Sequence, residues 1–153
     1  MASLSRAELA DLPELMDLEN RLFTSDCISR RQFRYLLTKA NGIAVKLTEN
    51  HTLYGYMVLL KRKRCSNLRV YSICVDESVQ QRGFGRVLLD YAEEVAVRDK
   101  HSSVTLEVSE NNSAAIKFYQ AGGYCLTGRK IRYYEDGSTA LLFKKNINQV
   151  SEQ

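Results

Sequence analysis

Gln80-Gln81-Arg82-Gly83-Phe84-Gly85-Arg86 joins a strand-like run to a helix-like run, a placement suited to holding phosphate. The two glycines let the backbone approach a ligand closely and adopt dihedrals barred to other residues. A helix starting directly behind them presents amide hydrogens that lack an intrahelical acceptor, at the positive end of its dipole. Such a terminus binds phosphate oxygens, and Arg82 and Arg86 add positive charge nearby. Two familiar nucleotide loops fit poorly. The Gly-Lys-Ser/Thr of a P-loop is absent, and Leu88 stands where a dinucleotide fingerprint needs a third small residue. A glycine-bearing turn ahead of a helix is the structural alternative.

The elements around this loop follow from hydrophobic periodicity. Leu12, Leu15, Met16, Leu18 and Leu22 recur at helical spacing over Asp11–Phe23, with Asp11 as a cap and Pro13 in the first turn. Ser29–Thr38 forms a second helix, with Phe33, Leu36 and Leu37 on one side. Strand signals follow at Ile43–Leu47, Leu53–Leu60 and Leu68–Val75, and their short links favour an antiparallel meander. Beyond Gly85 the period lengthens: Phe84, Leu88, Tyr91, Ala92 and Val95 predict an amphipathic helix to about Arg98. Val104, Leu106 and Val108 then alternate with polar residues as a strand. Asn112 caps a helix over Ser113–Ala121 that stops at Gly122-Gly123. Tyr124–Tyr134 and Thr139–Lys144 read as a hairpin closed by a tight turn at Glu135-Asp136-Gly137-Ser138. The expectation is a mixed α/β sheet with helices against its faces, in a single domain spanning residues 1–153.

Composition narrows the function classes. With 44% apolar and 26% charged residues the chain can build a core. No window approaches the length of a membrane helix and Met1–Arg6 lacks a signal-peptide apolar region, so a cytoplasmic location is expected. Four cysteines (Cys27, Cys65, Cys74 and Cys125) lie far apart with two histidines in the chain, so free thiols and no metal site are expected. A net charge of +4 suits an anionic ligand but is too small to indicate nucleic acid. The basic run Lys61-Arg62-Lys63-Arg64 reads as a solvated hairpin end, the alternative being a docking patch for an acidic partner or RNA.

Val70-Tyr71-Ser72-Ile73-Cys74-Val75-Asp76 followed by Gln80-x-x-Gly83-x-Gly85 resembles the acetyl-CoA motif of the GNAT N-acetyltransferase superfamily. The sequel is also similar: Leu106-Glu107-Val108, then Asn112-x-x-Ala115-Ile116-x-x-Tyr119, then Gly123-Tyr124. Within the superfamily the likeness is to bacterial ribosomal-protein alanine N-acetyltransferases, and the motif core spans about 68–134. The resemblance implies a twisted, mostly antiparallel sheet of about seven strands with helices on both faces. It implies acetyl-CoA as co-substrate and direct attack by a primary amine in a ternary complex.

By the same resemblance Ile73, Cys74 and Val75 meet the acetyl and pantetheine portions through backbone groups. Gln80, Gln81, Arg82, Gly83, Phe84, Gly85 and Arg86 surround the pyrophosphate, and Asn112 meets the pantetheine arm. Glu107 becomes the proton acceptor and Tyr119 the proton donor. The oxyanion faces backbone N–H groups near Cys74 and Val75, exposed if that strand bulges or splays. Each role has a structural counterpart. Glu107 could be an exposed carboxylate or one half of an ion pair, and Tyr119 a core tyrosine beside Ala115, Ile116 and Phe118. With no histidine near it in sequence, Cys74 is not expected to act as a nucleophile.

The acceptor is less determined. An α-amine of pKa about 7.7–8.0 is neutral in roughly one molecule in seven at pH 7, whereas a lysine amine near 10.4 is neutral about once in 2,500. A modest base therefore suffices for a protein N-terminus. Tyr133 and Tyr134 could clamp a peptide or an alkyl chain, or simply flank the turn. The tight Glu135–Ser138 turn, with Ser138-Thr139 where relatives carry an acidic pair, departs from the pattern in the segment that helps recognise the acceptor. A peptide N-terminus leads, ahead of a small-molecule amine (polyamine, amino acid or antibiotic) and of a non-catalytic acyl-CoA-binding module. No direct nucleic-acid or membrane contact is expected, and the chain is expected to be a monomer or a homodimer.

Overall fold

The computed structural model describes residues 2–23, 26–62 and 65–147. Its elements run β1 (Ser3–Arg6), α1 (Leu12–Leu22), α2 (Arg30–Thr38), β2 (Gly42–Glu49), β3 (Thr52–Lys61) and β4 (Asn67–Val75). They continue with α3 (Phe84–Arg98), β5 (Ser103–Ser109), α4 (Ser113–Ala121), β6 (Cys125–Lys130) and β7 (Ala140–Asn146). One sheet takes the order β1-β2-β3-β4-β5-β7-β6, antiparallel throughout except where β4 meets β5.

Alternation along the central strands sends side chains into two cores, one on each face. On one face Leu88, Leu89, Ala92, Val95 and Ala96 of α3 pack on Val45, Met57, Leu59 and Leu106, and Ala115, Ile116 and Phe118 of α4 close against the same cluster. On the other, Leu12, Leu15 and Leu18 of α1 and Phe33 of α2 cover Ala44, Tyr56, Val58 and Cys74. Ser29 and Gln32 exchange capping hydrogen bonds of 3.1 and 2.9 Å that start α2. Helix α3 is anchored in the core along its length.

Two irregularities in β4 shape the centre of the sheet. Val58 pairs with Ser72 and Leu59 with Val70, so Tyr71 is an extra residue that bulges the strand and strengthens its twist. On its other edge β4 pairs with β5 only from Asn67 to Arg69, opposite Ser103 to Thr105. Past those rungs the two central strands diverge. Val70–Val75 and Leu106–Ser109 face each other across a wedge with no ladder between them.

The structure departs from the sequence reading at four places. β1, unmarked by any apolar alternation, adds an edge strand on β2. Glu77–Arg82 forms a 3-10 turn ahead of α3, with Asp76 capping it through Ser78, rather than an open loop. Asp11 ends a 3-10 turn and spends its carboxylate on the Glu8 amide (2.7 Å) and on Lys46 (2.8 Å) instead of capping α1. The expected hairpin is shorter in strand and longer in loop, because Arg132 takes a left-handed φ of 53° just after β6 ends. Tyr133 and Tyr134 therefore sit in a wide connection rather than on a strand, with Gly137 donating to the Tyr134 carbonyl at 2.9 Å. Of the basic run, Lys61 ends β3 in an ion pair with Asp99 (2.9 Å), while Lys63 and Arg64 lie outside the described residues.

Candidate active site

The wedge opens into a cleft of about 860 Å³. Ile73, Cys74, Val75 and Gln80 line one wall, Glu107, Asn112 and Tyr119 the other, and Tyr133 and Tyr134 stand at the far end. Three sequence segments thus meet in one concavity of the size of a ligand site. The unpaired edge of β4 carries backbone groups whose hydrogen bonds the sheet does not complete. Gln80 donates from Nε2 to the Val75 carbonyl (3.2 Å), tying the strand end to the turn.

The phosphate loop lies just beyond the cleft lining. Gly83 takes φ 79° as the N-cap of α3, a conformation that L side chains rarely adopt, and a Cβ there would meet nothing within 4 Å. The first intrahelical bond comes from Val87 to the Gly83 carbonyl (3.2 Å), so the amides of Phe84, Gly85 and Arg86 precede any acceptor of their own helix. Gly85 serves packing instead: its Cβ would sit 3.4 Å from the Phe118 ring. The Phe84 ring is buried in the core beneath Arg82 (4.8 Å to its centroid), leaving only its backbone to meet a ligand.

Both arginines are engaged by carboxylates. Arg82 makes a two-pronged pair with Glu49 (2.8 and 3.0 Å), and Arg86 binds Asp90 at 2.7 Å with Glu93 at 3.8 Å. Both pairs are partly exposed, so release toward an anion costs little. A valine at Gly83 would strain the left-handed cap that starts α3. Gly83→Val is expected to weaken acetyl-CoA binding about tenfold or more by calorimetry. Equal affinity in a variant that still melts cooperatively would defeat the loop assignment.

Glu107 projects from β5 into the cleft and is not a bare carboxylate. Arg69, on the last paired rung of β4, donates from Nη2 to its Oε1 at 2.7 Å, and Lys130 stands 3.7 Å from its Oε2. The Arg69 guanidinium also stacks over Tyr71 (5.4 Å), and its buried Nε has no hydrogen-bond partner among the described residues. Tyr119 packs edge-on against Phe118 (5.2 Å) and Tyr124 (6.0 Å), and burial pushes its phenol above the usual range. It therefore remains a proton donor at neutral pH. Tyr134 is likewise pushed up to about 12, by burial first and then by Glu107. Asn112 uses Oδ1 to cap α4 through the Ala115 amide (3.1 Å), which leaves its amide nitrogen available.

Cys74 faces α1, and burial followed by the charge of Glu19 raises its thiol to about 12, so it stays a thiol and not a nucleophile. Around it lies a polar group that the sequence reading passed over. Glu19 of α1 is 2% exposed, yet it borders the cleft with Ser72. Tyr56 donates its hydroxyl to Glu19 Oε1, the Ile28 amide donates to Oε2 (2.8 Å), and Ser72 Oγ lies 3.3 Å from the Tyr56 hydroxyl. Over the far end Asp26 and Glu135 clasp the two flanking loops. Each carboxylate accepts the other residue's backbone N–H, at 3.1 Å into Glu135 and 3.0 Å into Asp26.

A sheet split at its two central strands, with a helix terminus beyond the cleft lining and a phenol and a carboxylate on one wall, suits a group transferase. The sequence profile of the Acetyltransferase (GNAT) family matches residues 11–124, and the chain belongs to that family. It is an N-acetyltransferase with acetyl-CoA as its co-substrate. It is 30% identical over 146 residues to the N-alpha-acetyltransferase RimI of Mycobacterium tuberculosis, covering 93% of this chain and 90% of that protein. It is 25% identical over 139 residues to the [ribosomal protein bS18]-alanine N-acetyltransferase of Escherichia coli, covering 88% of each. Among solved structures, the ribosomal-protein-S18-alanine N-acetyltransferase from Escherichia coli superposes with a TM-score of 0.86 at 25% identity, over 100% of this chain and 98% of that one. Among the described residues, no helix is long and apolar enough to cross a membrane.

Proposed function

We propose that this enzyme acetylates the α-amine of a protein N-terminus, of the kind modified by the ribosomal-protein alanine enzymes it resembles. The observation that carries this reading is the shape of the acceptor end. The cleft continues past Glu107 to the α1–α2 connection on one side and the Tyr133–Asp136 segment on the other, and a peptide entering there would displace the exposed Asp26–Glu135 hydrogen bonds that join them. Tyr133 and Tyr134 meet edge-to-face at 5.0 Å, a rigid aromatic wall against which a peptide backbone can lie. The carboxylates of Asp26 and Glu135 at the rim favour a cationic amine on approach.

Acetyl-CoA supplies an activated thioester. The amides of Phe84, Gly85 and Arg86 hold its pyrophosphate, while the free edge of β4 at Ile73–Val75 pairs with the pantetheine arm and faces the developing oxyanion. Asn112 meets that arm from the opposite wall. Glu107 takes a proton from the attacking nitrogen, and Tyr119 donates a hydrogen bond to the departing sulfur. A phenol whose pKa lies above that of a thiol need not transfer its proton fully to assist.

A screen for thiol release from acetyl-CoA tests the acceptor class. Peptides with an N-terminal alanine are expected to turn over, and the same peptides blocked at the α-amine but bearing lysine are not. Turnover of spermidine or free amino acids with all peptides inert would replace this reading by a small-molecule one.

A further inference from the structure

An amine that enters the cleft as an ammonium must lose two protons to become an amide: one before it can attack, and one after the C–N bond forms. Glu107 accounts for one. Its two carboxylate oxygens already face Arg69 and Lys130, and it is a single acceptor. On the wall toward α1, Ser72 borders the cleft, its Oγ lies 3.3 Å from the Tyr56 hydroxyl, and that hydroxyl donates to Glu19. Glu19 is the end of this chain, and no cation pairs with it among the described residues. The groups facing it are Tyr56 of β3, Cys74 of β4, and Cys27 and the Ile28 amide of the α1–α2 connection. Arg21, the nearest cation of α1, is engaged by Asp17 and Asp76, each at 3.1 Å.

We propose that Ser72, Tyr56 and Glu19 form a proton relay that converts the bound acceptor from ammonium to free amine. The acceptor N–H bond breaks and nitrogen keeps the electron pair. The proton joins Ser72 Oγ as the Ser72 hydroxyl proton passes to Tyr56, and the Tyr56 proton passes to the Glu19 carboxylate. Glu19 ends neutral and returns the proton to solvent after product leaves. Burial holds Glu19 above the ordinary carboxylate range, which brings it closer to an amine as a proton acceptor. The hydrogen bonds to Tyr56 and Ile28 keep it oriented. The relay rests on the reading of the acceptor as a primary amine that is mostly protonated at working pH.

The pH dependence of kcat/KM separates this role from a structural one. Wild type using the relay accepts ammonium, so its rate holds level between the titration of Glu19 and that of the amine. A variant without the relay must wait for neutral amine, and its rate falls about tenfold per pH unit below the amine pKa. Ser72→Ala and Glu19→Gln, measured on a peptide with an N-terminal alanine, are therefore expected to match wild type at pH 9 and to trail it roughly sevenfold at pH 7. Ser72→Thr, which keeps the hydroxyl, is expected to restore the plateau. Equal rates at pH 7, or the same deficit at pH 7 and pH 9, would overturn the relay. Should wild type leave the peptide untouched, the peptide reading fails by itself, and the same profiles taken on a small primary amine that wild type does acetylate decide the relay.

Discussion

Tyr119→Phe is expected to lower kcat about a hundredfold while leaving affinity for acetyl-CoA unchanged. The ring is 7% exposed and held edge-on between Phe118 and Tyr124, contacts that phenylalanine reproduces. Its hydroxyl carries no hydrogen bond among the described residues, so deleting it orphans no buried partner and stability should barely change. In the proposed role the loss falls on the step at which the sulfur departs, where the hydroxyl would donate. Steady-state thiol release with saturating acetyl-CoA reads it directly. Wild-type kcat in the variant would mean that Tyr119 is a packing residue at the junction of α4 and β6, and that the leaving group is protonated from water.

Glu107→Gln is expected to cost a similar factor in kcat, again with little change in acetyl-CoA affinity. The structure gives this variant a specific confounder. Glu107 neutralises Arg69, whose side chain is 30% exposed and half enclosed by the wedge, so removing the charge alone leaves a cation with a weaker partner. The double variant Arg69→Met, Glu107→Gln removes both charges together. It is expected to regain whatever melting temperature the single variant loses, and to remain as slow. Recovery of turnover along with stability would make the pair purely structural.

Much of the fold could be read because local signals agreed with one another. The change from period two to period 3.6 at Gly83, the glycine pair and the apolar stripe through Leu88, Ala92 and Val95 all point to the same boundary. Asn112 and Gly122 likewise frame α4 at Ser113–Ala121, as the sequence suggests. What escaped was decided by distant partners. The connection after β6 reads as a tight turn until Asp26, far back in the chain, is seen holding the Glu135 amide. The wedge has no compositional mark either: Leu68–Val75 is an ordinary strand in sequence, and only register shows that its pairing with β5 stops at Arg69 while Tyr71 bulges on the other side.

The missed polar residues left fainter traces that could have been followed. Glu19 continues the stripe Leu12, Leu15, Leu22, so a carboxylate was bound to land on the buried side of α1. Arg69 likewise sets a charge between the buried Leu68 and Val70 of β4. In both cases the sequence shows a charge placed where burial is costly, but not the partner that makes it tolerable.

The split between β4 and β5 has a consequence for the life of the protein before it meets its donor. Backbone groups on the β5-facing edge of Ile73–Val75 have no strand partner, although the opposite edge pairs with β3, and in the proposed complex the pantetheine arm would close that gap. In the proposed complex acetyl-CoA would act as a surrogate strand in a sheet that the polypeptide leaves ajar, and the donor-bound enzyme is expected to melt at a higher temperature than the free one. On that reading the donor would finish the wall against which the amine is held, and the amine would arrive second.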